Sequence, residues 1–204
     1  MLKKLTLVSL SLLLLASTAI LLASTASAAI KNGGYLVQGS VGYAGLENKA
    51  SKNWIDGAVV GLEWEYFALG DLYTFGLGLN YMGGRDTYER SNGTQVRDEF
   101  TSMPIYLMGK AYIGSPEGSI HGFIGVRLGW HFSNIKRVEE GAAVVSESVT
   151  EPMGAMPMGV IWFPGNNDLF FNLNYAPTFM GSSNYENNFV HQVSLGIGFG
   201  YNTN

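Results

Sequence analysis

The sequence contains no cysteine. That excludes a disulfide framework, a thiolate metal site and a lipid anchor carried on an N-terminal cysteine. Charge is sparse: 14% of the residues are Asp, Glu, Lys or Arg, and the formal net charge is −4. An acidic, charge-poor chain is not built to hold nucleic acid. Beyond residue 28 there is no run of about 18 apolar residues, so no transmembrane helix is expected there. A helix-borne HExxH, a phosphate loop and a cluster of carboxylate ligands are also missing. No metal and no cofactor is implied.

What is present begins with Lys3 and Lys4, followed by an apolar run from Leu5 to Ala23 and by the small-residue pattern Ala26-Ser27-Ala28. Residues 1–28 therefore read as a secretory signal peptide. An uncleaved membrane anchor is the other reading of so long a run. Residues 29–204 make one domain by length. They carry ten basic against sixteen acidic residues, because both lysines of the leader would leave with it.

The 27 glycines fall mostly inside apolar segments. Helices tolerate that poorly; closely packed, coiled strands accept it. Period-2 alternation marks eight segments, at 34–45, 55–69, 71–82, 100–113, 119–132, 153–163, 168–179 and 189–202. Each is long enough for a tilted strand to cross a bilayer, which takes about 9–11 residues. Connections alternate. Short turns sit at 70–71, 114–118 and 164–167, and longer polar segments at 46–54, 83–99, 133–152 and 180–188. The expected fold class is all-β: an eight-stranded antiparallel up-and-down transmembrane β-barrel. An even strand count puts both termini on the short-turn side, the periplasm.

Each segment has one large apolar face and one small or polar face. In 71–82, Tyr73, Phe75, Leu77, Leu79 and Tyr81 alternate with Thr74, Gly76, Gly78, Asn80 and Met82. A soluble barrel would point the large face inward and would carry many charges on the other. Here the second face is Gly, Ser, Thr and Asn, which suits a narrow lumen. Aromatic residues gather near the strand ends: Tyr35, Tyr66, Tyr73, Trp162 and Tyr201 on the turn side, Tyr43, Tyr81, Trp130 and Tyr175 on the loop side. They read as two interfacial girdles.

The same alternation turns Glu63 and Glu65 inward, with Lys110 and Arg127 as matching bases. Tyr106, Tyr112, His121 and His131 share that interior. Charges in a narrow lumen need partners. By depth, Glu63 falls level with Arg127, and Glu65 with Lys110. The expectation is an interior charge network that fills the lumen; a gated ion path through the same residues is the alternative.

This layout resembles the small eight-stranded bacterial outer-membrane barrels of the OmpX type and the OmpA transmembrane domain. The end of the chain, with Ser194, Gly196, Phe199 and Tyr201, resembles the signal read by the outer-membrane assembly machinery. It departs from that pattern by ending on Asn202-Thr203-Asn204. The resemblance implies a monomer in the outer membrane, contact with its lipid and lipopolysaccharide, and a structural or adhesion role through a surface ligand or host protein at the loops.

Two other readings follow from resemblance. Passage of hydrophobic solutes, as in OmpW-like barrels, would need a lateral opening. A lipid A deacylase of the PagL type is suggested by His131 and Ser133, two apart on one strand face, with Glu139, Glu140 or Glu147 to orient the histidine. Parity points His131 into the lumen, away from acyl chains, so no enzyme is expected. Of the loops, 83–99 is rich in charges of both signs, and 133–152 has the makings of a hairpin extending two strands outward. Exposed edges there would pair with a foreign protein. The Asn92-Gly93-Thr94 sequon reads as a loop tip.

Overall fold

The computed structural model describes residues 34–48, 53–69, 72–114, 118–164, 169–180 and 189–201. The expected signal peptide, 1–28, lies outside them, as does most of each short turn. The described strands are β1 (Tyr35–Asn48), β2 (Asn53–Leu69), β3 (Tyr73–Glu89), β4 (Gln95–Ile113), β5 (Ile120–Glu139), β6 (Val145–Ala155), β7 (Met158–Trp162), β8 (Leu169–Met180) and β9 (Phe189–Tyr201). Every pairing is antiparallel, and β1 pairs with β9 as well as with β2. The β4–β5 and β7–β8 pairings close the sheet on itself.

The nine segments are eight staves. β6 and β7 keep one register against β5, with Ala155 opposite Arg127 and Met158 opposite Ile124. Between them, Gly125 N–H donates to the Pro157 carbonyl at 2.8 Å, and Met156 N–H donates to the Pro177 carbonyl at 3.1 Å. A proline has no N–H for the ladder, so the stave is interrupted at Met156–Pro157 without changing course. The fold is thus an all-β, antiparallel ring of eight staves.

Burial follows the alternation. On the outer face Leu107 is 70% exposed, Leu128 63% and Phe199 65%, while inward Phe67 is 1% exposed and Phe170 fully buried. A large apolar outer face is the reverse of a soluble barrel. The small residues of the other face make the narrow lumen possible. A Cβ at Gly78 would lie 2.4 Å from the Tyr106 ring, so only glycine lets that ring lie across the lumen.

Two staves pairs run further than the alternation predicted. Residues 83–99, read as a polar loop, are strand on both sides of a tight turn: β3 reaches Glu89 and β4 starts at Gln95. The turn is closed by Gly93 N–H donating to the Arg90 carbonyl at 2.9 Å and Thr94 N–H donating to Asn92 Oδ1 at 3.1 Å. Gly93 sits there at φ 84°, the left-handed region that glycine enters freely. The sequon is the turn itself. Residues 133–152 form the hairpin expected of them, with β5 reaching Glu139 and β6 starting at Val145. The two hairpins pair through β4 and β5 up to Val96 opposite Glu139. The result is a four-stranded sheet standing above one side of the ring. Charges are what hid it: Asp98, on its lumen side, takes a two-pronged contact from Arg137, Nε at 2.7 Å and Nη2 at 2.8 Å.

Candidate functional site

The lumen is filled in three layers. Nearest the start of β1 and the end of β9, Leu36, Phe67, Tyr112, Phe123, Ile161, Phe163 and Phe170 form an apolar cluster. Toward the extended sheet, a second apolar cluster includes Ala44, Leu46, Ile55, Val59, Met82, Phe100, Met180 and Val190. Between them lies the polar layer that holds the four charges.

β2 delivers Glu63 and Glu65 to the lumen two residues apart, and β4 and β5 deliver Lys110 and Arg127 opposite them. Lys110 Nζ donates to Glu63 Oε2 at 2.9 Å and to Glu65 Oε1 at 2.6 Å. Arg127 Nη2 donates to Glu63 Oε1. All four side chains are at most 5% exposed. Arg127 therefore meets Glu63 as depth suggested, whereas Lys110 bridges both acids instead of serving Glu65 alone.

Neutral donors complete the set. Glu63 also accepts from Gln38 Nε2 at 2.6 Å and from the Tyr106 hydroxyl at 2.8 Å. Glu65 accepts from Thr74 Oγ1 at 2.8 Å and from the Tyr112 hydroxyl at 2.9 Å. The cations lie over rings, Lys110 Nζ 5.0 Å from the centroid of Phe123 and Arg127 4.9 Å from that of Tyr106. Such contacts favour a cation removed from water. Each carboxylate oxygen has a donor, which favours a buried ion pair, while Arg127 Nε is buried without a hydrogen bond.

Gln38, Thr74 and Asn172 were not singled out from the sequence. Asn172 Nδ2 donates to Gln38 Oε1 at 2.9 Å and so orients the amide that reaches Glu63. Their inward parity was the available signal, but the pattern alone does not tell a lumen-filling amide from one that touches a charge. The wall that carries Gln38 and Asn172, made by β1, β8 and β9, also bears Ser40, Asn174, Gln192 and Ser194 around a small polar cavity. Among the described residues, Glu63 and Arg127 are the charged side chains that line that cavity.

The two interior histidines stand apart from the network. His121 Nε2 lies 2.7 Å from the Gly118 carbonyl. His131 has Glu151 as its nearest carboxylate, at 3.6 Å. This corrects the assignment of Glu139, Glu140 or Glu147 to that histidine: Glu139 instead pairs with Arg90 at 2.7 Å, and Glu147 lies opposite Ile135. Glu151 is brought in because β6 runs antiparallel to β5 and places it opposite His131. Ser133 Oγ and both His131 nitrogens make no hydrogen bond, so the pair forms no nucleophile–base contact. Among the described residues no group of three or more His, Asp or Glu side chains is placed to hold a metal.

At the last stave, Ser194 is buried and Phe199 is exposed on the outer face. Gly196 lies opposite Ser40 and Asn172, and Tyr201 pairs with Tyr35.

No protein-family model and no curated protein sequence matches the chain. Solved structures do. Neisserial surface protein A is 15% identical at a TM-score of 0.59, covering 82% of this chain and 99% of its own. The N-terminal β-barrel domain of Pseudomonas aeruginosa OprF is 16% identical at 0.51, covering 84% and 99%. The attachment invasion locus protein Ail of Yersinia pestis is 17% identical at 0.50, covering 83% and 99%. At such identities the shared property is the fold, that of small outer-membrane β-barrels.

Proposed function

We propose that this chain is a bacterial outer-membrane barrel that closes its own lumen and acts through the sheet it raises above the membrane. The observation that carries the reading is the inversion of polarity. The wide apolar face points outward around the ring, while paired charges and amides lie within. Hydrocarbon around the belt is the solvent that such a surface suits. Tyr43, Tyr81 and Trp130 would meet the interface on the loop side, and Tyr66 and Tyr73 on the other. Both termini would then be periplasmic, and residues 194–201 would serve the assembly machinery.

The charge network is a structural filling in this reading. With apolar layers on both sides of it, an ion would have to cross low-dielectric packing twice, at a large cost in solvation. Among the described residues no second acid lines the opposite wall to offer Arg127 an alternative partner, so the network has one arrangement rather than two. The role that remains is recognition by the β3–β6 sheet. Supporting it, β6 from Val145 to Pro152 pairs with β5 on one side only among the described residues. Such an edge offers backbone donors and acceptors to an extended partner strand. The name of the Ail neighbour, an attachment protein, favours adhesion as the class of role.

Surface proteolysis of intact cells tests the reading. Cleavage within 89–95 or 139–145, with the remainder protected in the membrane fraction and shifted by heating on a gel, is the expected outcome. Recovery of the protein in the aqueous soluble fraction would overturn it.

A further inference from the structure

Five buried polar atoms without a hydrogen bond gather on the lumen side where the raised hairpin leaves the ring. They are Nδ1 and Nε2 of His131, Oε2 of Glu151, and the hydroxyls of Ser102 and Ser133. Strand pairing brings them together. Glu151 of β6 lies opposite His131, and Ser102 of β4 opposite Ser133. His131 and Ser133 are two apart on β5 and so share a face. Buried polar atoms of native folds find partners almost without exception. A cluster of five in one place therefore asks for an occupant.

The spacing of the central pair narrows the choice. His131 Nε2 and Glu151 Oε2 are 3.6 Å apart. That is beyond a hydrogen bond, which brings N and O to about 2.7–3.2 Å. One bridging water, about 2.8 Å from each, would hold them at an angle of only about 80°, well under the tetrahedral value. A zinc-type ion takes imidazole nitrogen and carboxylate oxygen at about 2.0–2.2 Å in a tetrahedral array. Two such ligands lie about 3.3–3.6 Å from each other, which is the separation of this pair.

The donor set selects the ion. An imidazole with a carboxylate suits zinc and its neighbours, whereas calcium and magnesium take oxygen throughout. Among the described residues His131 is the one basic group within ion-pair distance of Glu151. Arg127, four residues from His131 on the same face of β5, is committed to Glu63. Glu147, four residues from Glu151, lies opposite Ile135. The Glu151 side chain keeps 15% exposure, which gives an ion a way in and room for water. The hydroxyls of Ser102 and Ser133 stand beside the pair to accept from that water or from the second ring nitrogen of His131. Such a contact orients a ligating histidine.

We propose that His131 and Glu151 bind a divalent transition-metal ion of the zinc class, with water completing its coordination, and that the ion fastens β6 to β5 at the root of the raised hairpin. β6 pairs with β8 at Met153, Gly154 and Ala155. Glu151 is two residues past Met153, where β5 is the remaining neighbour of β6 among the described residues. A metal bridge there reinforces the strand where it loses one of its two partners. Two protein ligands make an open site, of lower affinity than the four-ligand sites that hold structural zinc.

The test uses the folded, untagged chain in a neutral detergent at neutral pH, stripped of metal by a chelator and titrated with zinc chloride in a calorimeter. The wild type should bind about one equivalent with a Kd of about 1–10 µM, and magnesium chloride should not bind. His131→Ala and Glu151→Gln should each weaken zinc binding at least about tenfold. His191→Ala, beside Tyr175 on the outer face, should change nothing. Glu151→Gln keeps the shape of the side chain, so a folding defect in His131→Ala leaves the test intact. Zinc should also slow amide exchange at 148–151 in the wild type and not in Glu151→Gln. A wild type that binds no zinc, or Glu151→Gln that binds it equally well, would overturn the site. Zinc binding without slowed exchange would overturn the fastening of β6.

Discussion

Lys110 stands between Glu63 and Glu65, 2.9 Å from one and 2.6 Å from the other, so a single ammonium joins the two acids of β2 to β4. Arg127 then secures Glu63 from β5. Three staves are joined across the lumen through four charged groups that are all removed from water.

Removing one cation should cost more than the pair itself is worth, because it strands a buried acid. Arg127→Ala is expected to lower stability by about 3–5 kcal/mol, read as a shift in the urea midpoint of the refolded protein. The double change Glu63→Gln/Arg127→Met should recover part of that loss, since it removes the stranded charge as well. An Arg127→Ala protein with unchanged midpoint and slope would remove the network from any account of stability.

The lumen should be electrically silent. Purified, refolded protein in a planar bilayer is expected to give no discrete channels, and Glu63→Gln should leave it silent, because the apolar layers around Phe67 and Phe170 and around Met82 and Phe100 are untouched. Reproducible openings sensitive to Glu63→Gln would make the network a gate.

At Gly78 an added Cβ would meet the ring of Tyr106, whose hydroxyl donates to Glu63. Gly78→Ala should push Tyr106 away from Glu63 and destabilise the barrel by about 1–3 kcal/mol, the usual cost of overpacking. Gly39→Ala, where an added Cβ meets nothing within 4 Å, is the matched control and should be near neutral. Thermal unfolding followed by the heat-shifted gel band measures both.

The raised sheet depends on its own ion pair. Asp98 holds Arg137 by hydrogen bonds that raise the guanidinium pKa further, and Arg90 pairs with Glu139 across the hairpin tips. Asp98→Asn should speed amide exchange in 86–98 and 134–148 while leaving the belt strands as protected as before. Uniform loss of protection would mean that sheet and ring unfold as one unit.

Alternation by itself determined which side of the wall each residue occupies. Glu63, Glu65, Tyr106, Lys110, Tyr112 and Arg127 share one face because side chains alternate strictly along a strand, and the scarcity of charge on that face marked it as the lumen. Contacts across the ring were a different matter. That Lys110 reaches both acids, that Gln38 and Thr74 complete the carboxylates, and that Glu151 rather than Glu139, Glu140 or Glu147 faces His131 all depend on how neighbouring staves are staggered. Residues 83–99 were misread for a related reason. Above the apolar belt the alternation of hydrophobicity disappears, and strand there is maintained by pairing with β5 and by Asp98–Arg137. A period can be read along one chain segment, whereas register is a property of two, and only the closed ring sets it.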